Sequence, residues 1–171
     1  MKKVKAYVYV PEAYWDRGKR KSIIESFSKF EVEHSRKATI GAGADGLLPS
    51  FDVLIVISVA LGAAVVGQIA GGFLNAIGKD TWDALKKSLK KAKQVKPDSI
   101  DPSIPREMNV PHESEIIWWV HFDNAAFLIH LPGLEDWDEA FESLPYVAEK
   151  TFRENPNASR LIWGEGKWKS F

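Results

Sequence analysis

VLIVISVALGAAVVGQIAGGFLNAIG, Val53 to Gly78, carries no charged side chain over its whole length and leads through Lys79-Asp80 into the lysine-rich TWDALKKSLKKAK. Two environments suit such a stretch. In lipid, about 20 apolar residues cross about 30 Å of hydrocarbon, so its length permits a single span. In protein, it is the central element of one compact domain. A span is favoured by the Gly67-x-x-x-Gly71 spacing of helix dimers, by the small residues Gly62, Ala63, Ala64 and Ala70, and by the cluster Lys86, Lys87, Lys90, Lys91 and Lys93 on one side. Against it stand the polar Gln68 and Asn75, the want of a paired Trp/Tyr belt apart from Trp82, and the low hydrophobicity of glycine and alanine. The flanking segments tip the balance toward a core element, because their strands have apolar faces that need a partner layer and this is the largest apolar segment available. A single-span anchor that oligomerises through Gly67 and Gly71 and perturbs a membrane is the alternative.

The conformation of the stretch has two readings as well. Ser50 and Asp52 follow Pro49 as helix-start residues, which favours helix from about Phe51. Yet VLIVISV, Val53 to Val59, is dense in β-branched residues and equally suits a buried strand that feeds a helix near Leu61. The expectation adopted is helix throughout. Beyond Gly78, Asp80 offers a cap and Thr81 to Lys93 predicts a second helix with Trp82, Leu85 and Leu89 on its apolar side.

Upstream, Val4 to Val10 alternates Val, Ala, Val, Val against Lys, Tyr, Tyr and ends at Pro11, the pattern of a strand. The basic start has only a short apolar run and no small-residue cleavage site, so it does not read as a secretory signal. Ser22 to Phe30 places Ile23, Ile24, Phe27 and Phe30 at helical spacing. Glu31 to Thr39 is extended in character and leads into the glycine-rich GAGADG loop, Gly41 to Gly46. Downstream, residues 95–111 hold four prolines and predict an internal loop within a single domain spanning 1–171. Glu115 to Phe122 and Ala126 to Leu131, separated by Asp123-Asn124-Ala125, predict a β-hairpin. Leu134 to Phe152 is helical in spacing, with a restart at Pro145. Arg160 to Phe171 predicts an aromatic strand pair around Gly164-Glu165-Gly166.

Composition narrows the function classes. With 171 residues and 45% hydrophobic content the chain can bury about two-thirds of its unfolded surface as one domain. Lysine plus arginine (23) equals aspartate plus glutamate (23), which removes the positive field that nucleic-acid binding normally needs. No nucleic-acid partner is expected. The absence of cysteine excludes disulfides, thiolate zinc sites and cysteine nucleophiles, and it suits a reducing compartment.

No constellation carries recognisable chemistry. His121 and His130 sit on opposite arms of the hairpin, and an Asn124-Ala125 loop makes them diagonal neighbours on one face, but no third ligand with suitable spacing accompanies them. The acidic run Glu135, Asp136, Asp138, Glu139 and Glu142 suits the N-terminal face of a helix better than acid/base work. GAGADG lacks the Lys-Ser/Thr of a phosphate loop. No catalytic residue, metal ligand or cofactor is assigned. Aromatics are the more informative group, with seven tryptophans in the chain and Trp118, Trp119, Trp163 and Trp168 in its second half. Adjacent Trp118 and Trp119 fall on opposite sheet faces, so one belongs under the helices and the other can mark a contact surface.

The order strand, helix, strand, glycine-rich loop with Gly43-Ala44-Asp45-Gly46, apolar helix ending in FLNAIGKDTWDALKKSLKK, then hairpin, resembles the small non-enzymatic effector-associated domains of bacterial conflict systems over residues 1 to 131. The resemblance implies adaptor contacts and no catalytic residues, and it leaves the last forty residues without a counterpart. Together these readings predict an α+β domain, bacterial and cytoplasmic, with a mostly antiparallel sheet covered by a long apolar helix and shorter amphipathic helices. Its expected role is non-enzymatic, with a protein partner or self-association engaged through Trp118, Trp119, His121, His130, Trp163 and Trp168.

Overall fold

A computed structural model describes residues 4–10, 15–34, 55–60, 65–98, 117–122, 128–132, 137–158 and 160–171. The alternating Lys5–Tyr9 forms β1, with Ala6 and Val8 buried and its other positions half-buried. Asp16 then caps α1 (Arg17–Glu25), its Oδ1 accepting from the Lys19 amide at 2.8 Å. The helix starts earlier than the apolar spacing predicts and stops at Glu25. Phe27 and Phe30 still reach the core from the turns that follow, before β2 (Glu31–His34).

The uncharged stretch is not one helix. Its β-branched part is a strand, β3 (Ile55–Ala60), with Ile55, Ile57 and Val59 fully buried; the rest holds two short helices, α2 (Val65–Gly71) and α3 (Phe73–Ile77). Gly72 separates them with φ 155°, a conformation costly for other residues, and a Cβ there would approach Asn75 Nδ2 at 3.0 Å. Both the uninterrupted-helix expectation and the membrane-span alternative built on it are therefore corrected. No helix among the described residues is long and apolar enough to cross a membrane. Gly67 and Gly71 are both exposed, and a Cβ at either would meet nothing within 4 Å, so they make no close helix packing within the chain; packing between copies was the role expected of them.

Gly78, at φ 87°, opens α4 (Lys79–Lys93), which buries Trp82, Leu85 and Leu89 as its spacing predicts, and Ser88 and Ala92 beside them. Of the proline-rich segment, 99–111 lies outside the described residues, as does the GAGADG loop. The predicted hairpin is present as β4 (Ile117–Phe122) and β5 (Leu128–Pro132). The helix α5 (Trp137–Glu154) runs through Pro145 without the expected restart, burying Trp137, Phe141, Leu144, Ala148 and Phe152. The chain closes with β6 (Arg160–Gly164) and β7 (Lys167–Ser170), joined by Glu165-Gly166 at φ 54° and 70°. Two successive positive φ values make the primed turn whose twist suits a two-residue hairpin.

The seven strands among the described residues join one sheet in the order β2-β1-β3-β4-β5-β6-β7. The fold is mixed α and β as predicted, but the sheet is not mostly antiparallel. Pairings alternate: β1 with β2, β3 with β4 and β5 with β6 are parallel, while β1 with β3, β4 with β5 and β6 with β7 are antiparallel. The reason lies in the connections, because a parallel pair needs a crossover and each of these three spans a helical segment. A single core cluster unites Ala6, Val8, Ile57, Val120, Leu161 and Trp163 of the sheet with the buried sides of α1, α3, α4 and α5. Within the helical layer Trp82 is central, its ring edge-on to Phe73 at 5.0 Å and to Phe141 at 5.7 Å.

Candidate functional site

The registers sort the sheet residues into two sets. One cross-strand row runs Val8, Ile57, Val120, Ile129, Leu161, and Val8, Ile57, Val120 and Leu161 are buried under the helices. The next row, displaced by one residue and so on the opposite face, runs Tyr9, Val56, Trp119, His130, Ile162, Lys169. Its neighbour holds Tyr7, Ser58, His121, Leu128 and Arg160. Tyr7, Tyr9 and Ile162 are half-buried, whereas their sequence neighbours Val8 and Leu161 are sealed in the core. The described helices thus serve one face and leave the other.

This face gathers three of the predicted site residues. Trp119 and His130 are directly opposed, and His121, opposed to Leu128, lies diagonal to His130. That is the register an Asn124-Ala125 loop dictates, although 123–127 fall outside the described residues. Trp118 takes the other set, aligned with buried Ile55 and with Leu131. The expectation that the two adjacent tryptophans divide between faces therefore holds at the level of register.

Trp163 and Trp168 do not join the surface. They are directly opposed across the β6–β7 hairpin with rings 5.4 Å apart, and Trp163 is only 3% exposed. Half-buried Trp168 donates from Nε1 to the Ala140 carbonyl at 3.1 Å and the Ser143 hydroxyl at 3.0 Å, which fastens the hairpin to α5. The assignment of Trp163 to a contact surface is corrected, since it is buried, and Trp168 lies not on this face but in the core set at the β7 edge of the sheet. In exchange the face adds Tyr7, Tyr9 and Ile162, which sequence reasoning did not select. The signal was present in the alternation of β1, where both tyrosines share the polar set.

The remaining features carry no chemistry of their own. The α4 lysines form a solvated face, with Lys86 paired to Asp83 at 2.9 Å, Lys90 to Asp138, and Lys93 5.0 Å from the Trp137 ring centre. A cleft between α4 and α5 is lined by Asp83, Lys86, Lys87, Lys90, Asp138 and Glu142, charges of both signs that cancel locally. Among the described residues no group of three or more His, Asp or Glu side chains gathers as a metal site would require. At the far end of α4, Asp98 accepts from the Asp16 amide at 2.7 Å and pairs with Lys19, and the Lys19 hydrogen bond, aided by that amide, holds its carboxyl below the usual range. No protein-family model, curated protein or solved structure matches this chain.

Proposed function

We propose that this chain is a non-enzymatic protein-interaction module that receives a partner protein on the face of its sheet opposite the described helices. The row Tyr9, Val56, Trp119, His130, Ile162 carries the reading: it brings aromatic and aliphatic residues from five strands together on the face opposite the core. Aromatic side chains supply large contact area at low conformational cost, which is why they are enriched at recognition surfaces. The resemblance to effector-associated domains agrees with an adaptor role.

A benzophenone side chain placed at position 162 tests this in the cell of origin, with position 91 on the solvated side of α4 as the control. The expected outcome is a discrete crosslinked polypeptide from position 162, none from position 91, and loss of the product when Tyr9→Lys is added. Equal labelling at both positions, or none at 162, rejects the proposal.

A further inference from the structure

The two edges of the sheet match each other. β2 reads Glu31-Val32-Glu33 and β7 reads Lys167-Trp168-Lys169, and among the described residues each has a neighbouring strand on one side only. Val32 aligns with buried Ala6, and Trp168 with buried Trp163, so both fall in the core set. Glu31 and Glu33 align with Lys5 and Tyr7, and Lys167 and Lys169 with Gly164 and Ile162, so all four charged residues share the face opposite the described helices. Lys5 lies 3.8 Å from Glu31 and 2.9 Å from Glu33, one cation between two carboxylates, which leaves the β2 edge net acidic. Glu165 pairs with Lys169 at 2.9 Å, one carboxylate beside two lysines, which leaves the β7 edge net basic.

We propose that copies of this chain associate head to tail by sheet extension, the β7 edge of one against the β2 edge of the next. Strand direction supports this. Following the pairings across the sheet, β2 and β7 run in opposite senses, so a second copy set alongside with its helices on the same face meets the first as an antiparallel pair. Opposing Val32 to Trp168 then opposes Glu31 to Lys169 and Glu33 to Lys167, with every charge facing its opposite and the two half-buried apolar residues covering each other. Like charges disfavour β2 against β2 and β7 against β7. Exposed edges are ordinarily blunted by charge; opposite signs on the two edges exclude symmetric pairing while admitting the heterologous one. A contact between strands this short is weak, so assembly is expected to be reversible and driven by concentration. Such a chain extends without closing, and it presents the faces opposite the described helices of successive copies side by side.

Sedimentation velocity tests the idea on the full chain and on two charge-reversed variants, E31K/E33K and K167E/K169E, each checked for native circular dichroism. The wild type is expected to grow beyond a dimer at concentrations on the order of 100 µM and to dissociate as salt is raised. Each variant alone should associate about tenfold more weakly. Their equimolar mixture, in which basic edges meet acidic ones, should recover association. Should E31K/E33K lose its fold through repulsion with Lys5, K167E/K169E alone decides: retention of wild-type, salt-sensitive association overturns the proposal. A wild type that stays monomeric, one that stops at a dimer, or a mixture of folded variants no larger than its components overturns it equally.

Discussion

Asp98 shows how one side chain joins distant parts of this chain. It lies just past α4, yet its carboxylate takes the amide of Asp16 at the start of α1 and the ammonium of Lys19. The position suits a negative charge, since the first turn of a helix presents unpaired N–H groups and the positive end of the peptide dipoles. The Lys19 hydrogen bond is the first cause that lowers the Asp98 pKa in the folded chain. A carboxyl whose folded pKa lies below its unfolded value contributes stability that is present above the unfolded pKa and lost as pH falls through the folded one. Asp98→Asn should therefore be less stable than the wild type near neutral pH, and the gap between the two should close on acidification below about pH 4. Urea midpoints measured across that range check this. A gap that persists unchanged at the acid end would show that the tether does not depend on the carboxylate charge.

At the scale of elements, the break between α2 and α3 has its explanation in α5. Glu149 Oε1 accepts from the Phe73 amide at 2.7 Å, supplying the first turn of α3 with an anion, and Arg153 donates to the Ala70 carbonyl at 3.3 Å near the end of α2. Both orphaned helix ends are thus answered by one neighbouring helix, with charges of the sign each end prefers. Glu149→Ala strands a partly buried N–H and should cost about 1–3 kcal/mol, whereas Glu149→Gln keeps an acceptor and should cost less. Equal losses for the two in urea unfolding would move the explanation from hydrogen bonding to packing. These partners lie 76 and 83 residues away from the positions they satisfy, which is why the sequence of Val53 to Gly78 alone favours a continuous helix. Local signals were more legible. The alternation of β1, the apolar side of α4 and both C-terminal hairpins follow from neighbouring residues, and the register of His121 and His130 is the one that the Asn124-Ala125 spacing predicts. The direction of β3 against β4 does not, because it is set by a crossover through three helices. Nor could the role of the indole pair Trp163 and Trp168 be read until α5 was in place, since Trp168 is fixed by acceptors at Ala140 and Ser143.

For the molecule as a whole, β3 and β4 form the seam. On one side lie β2, β1 and β3, on the other β4 to β7, and the parallel register from Ile55↔Trp118 to Val59↔Phe122 joins them into one sheet across a proline-rich segment. The helical layer crosses the same seam, because Trp82 of α4 contacts Phe73 of α3 and Phe141 of α5, and Trp137 packs on Phe141 at 5.6 Å. If burial of these shared residues supplies the stability of both sides, the chain unfolds as one unit despite the long proline-rich stretch of sequence between them. Leu161 of β6 tests the point from the far end, being 1% exposed and distant in sequence from β1. Leu161→Ala should cost about 2–5 kcal/mol through lost transfer energy and the cavity left behind. Hydrogen exchange then reads whether that loss is shared. The slowest amides of β1 should lose as much protection as those of β6, because both open only through global unfolding. Undiminished protection in β1, or circular dichroism and tryptophan fluorescence transitions with separate midpoints, would divide the chain at the β3–β4 seam into two units that merely touch.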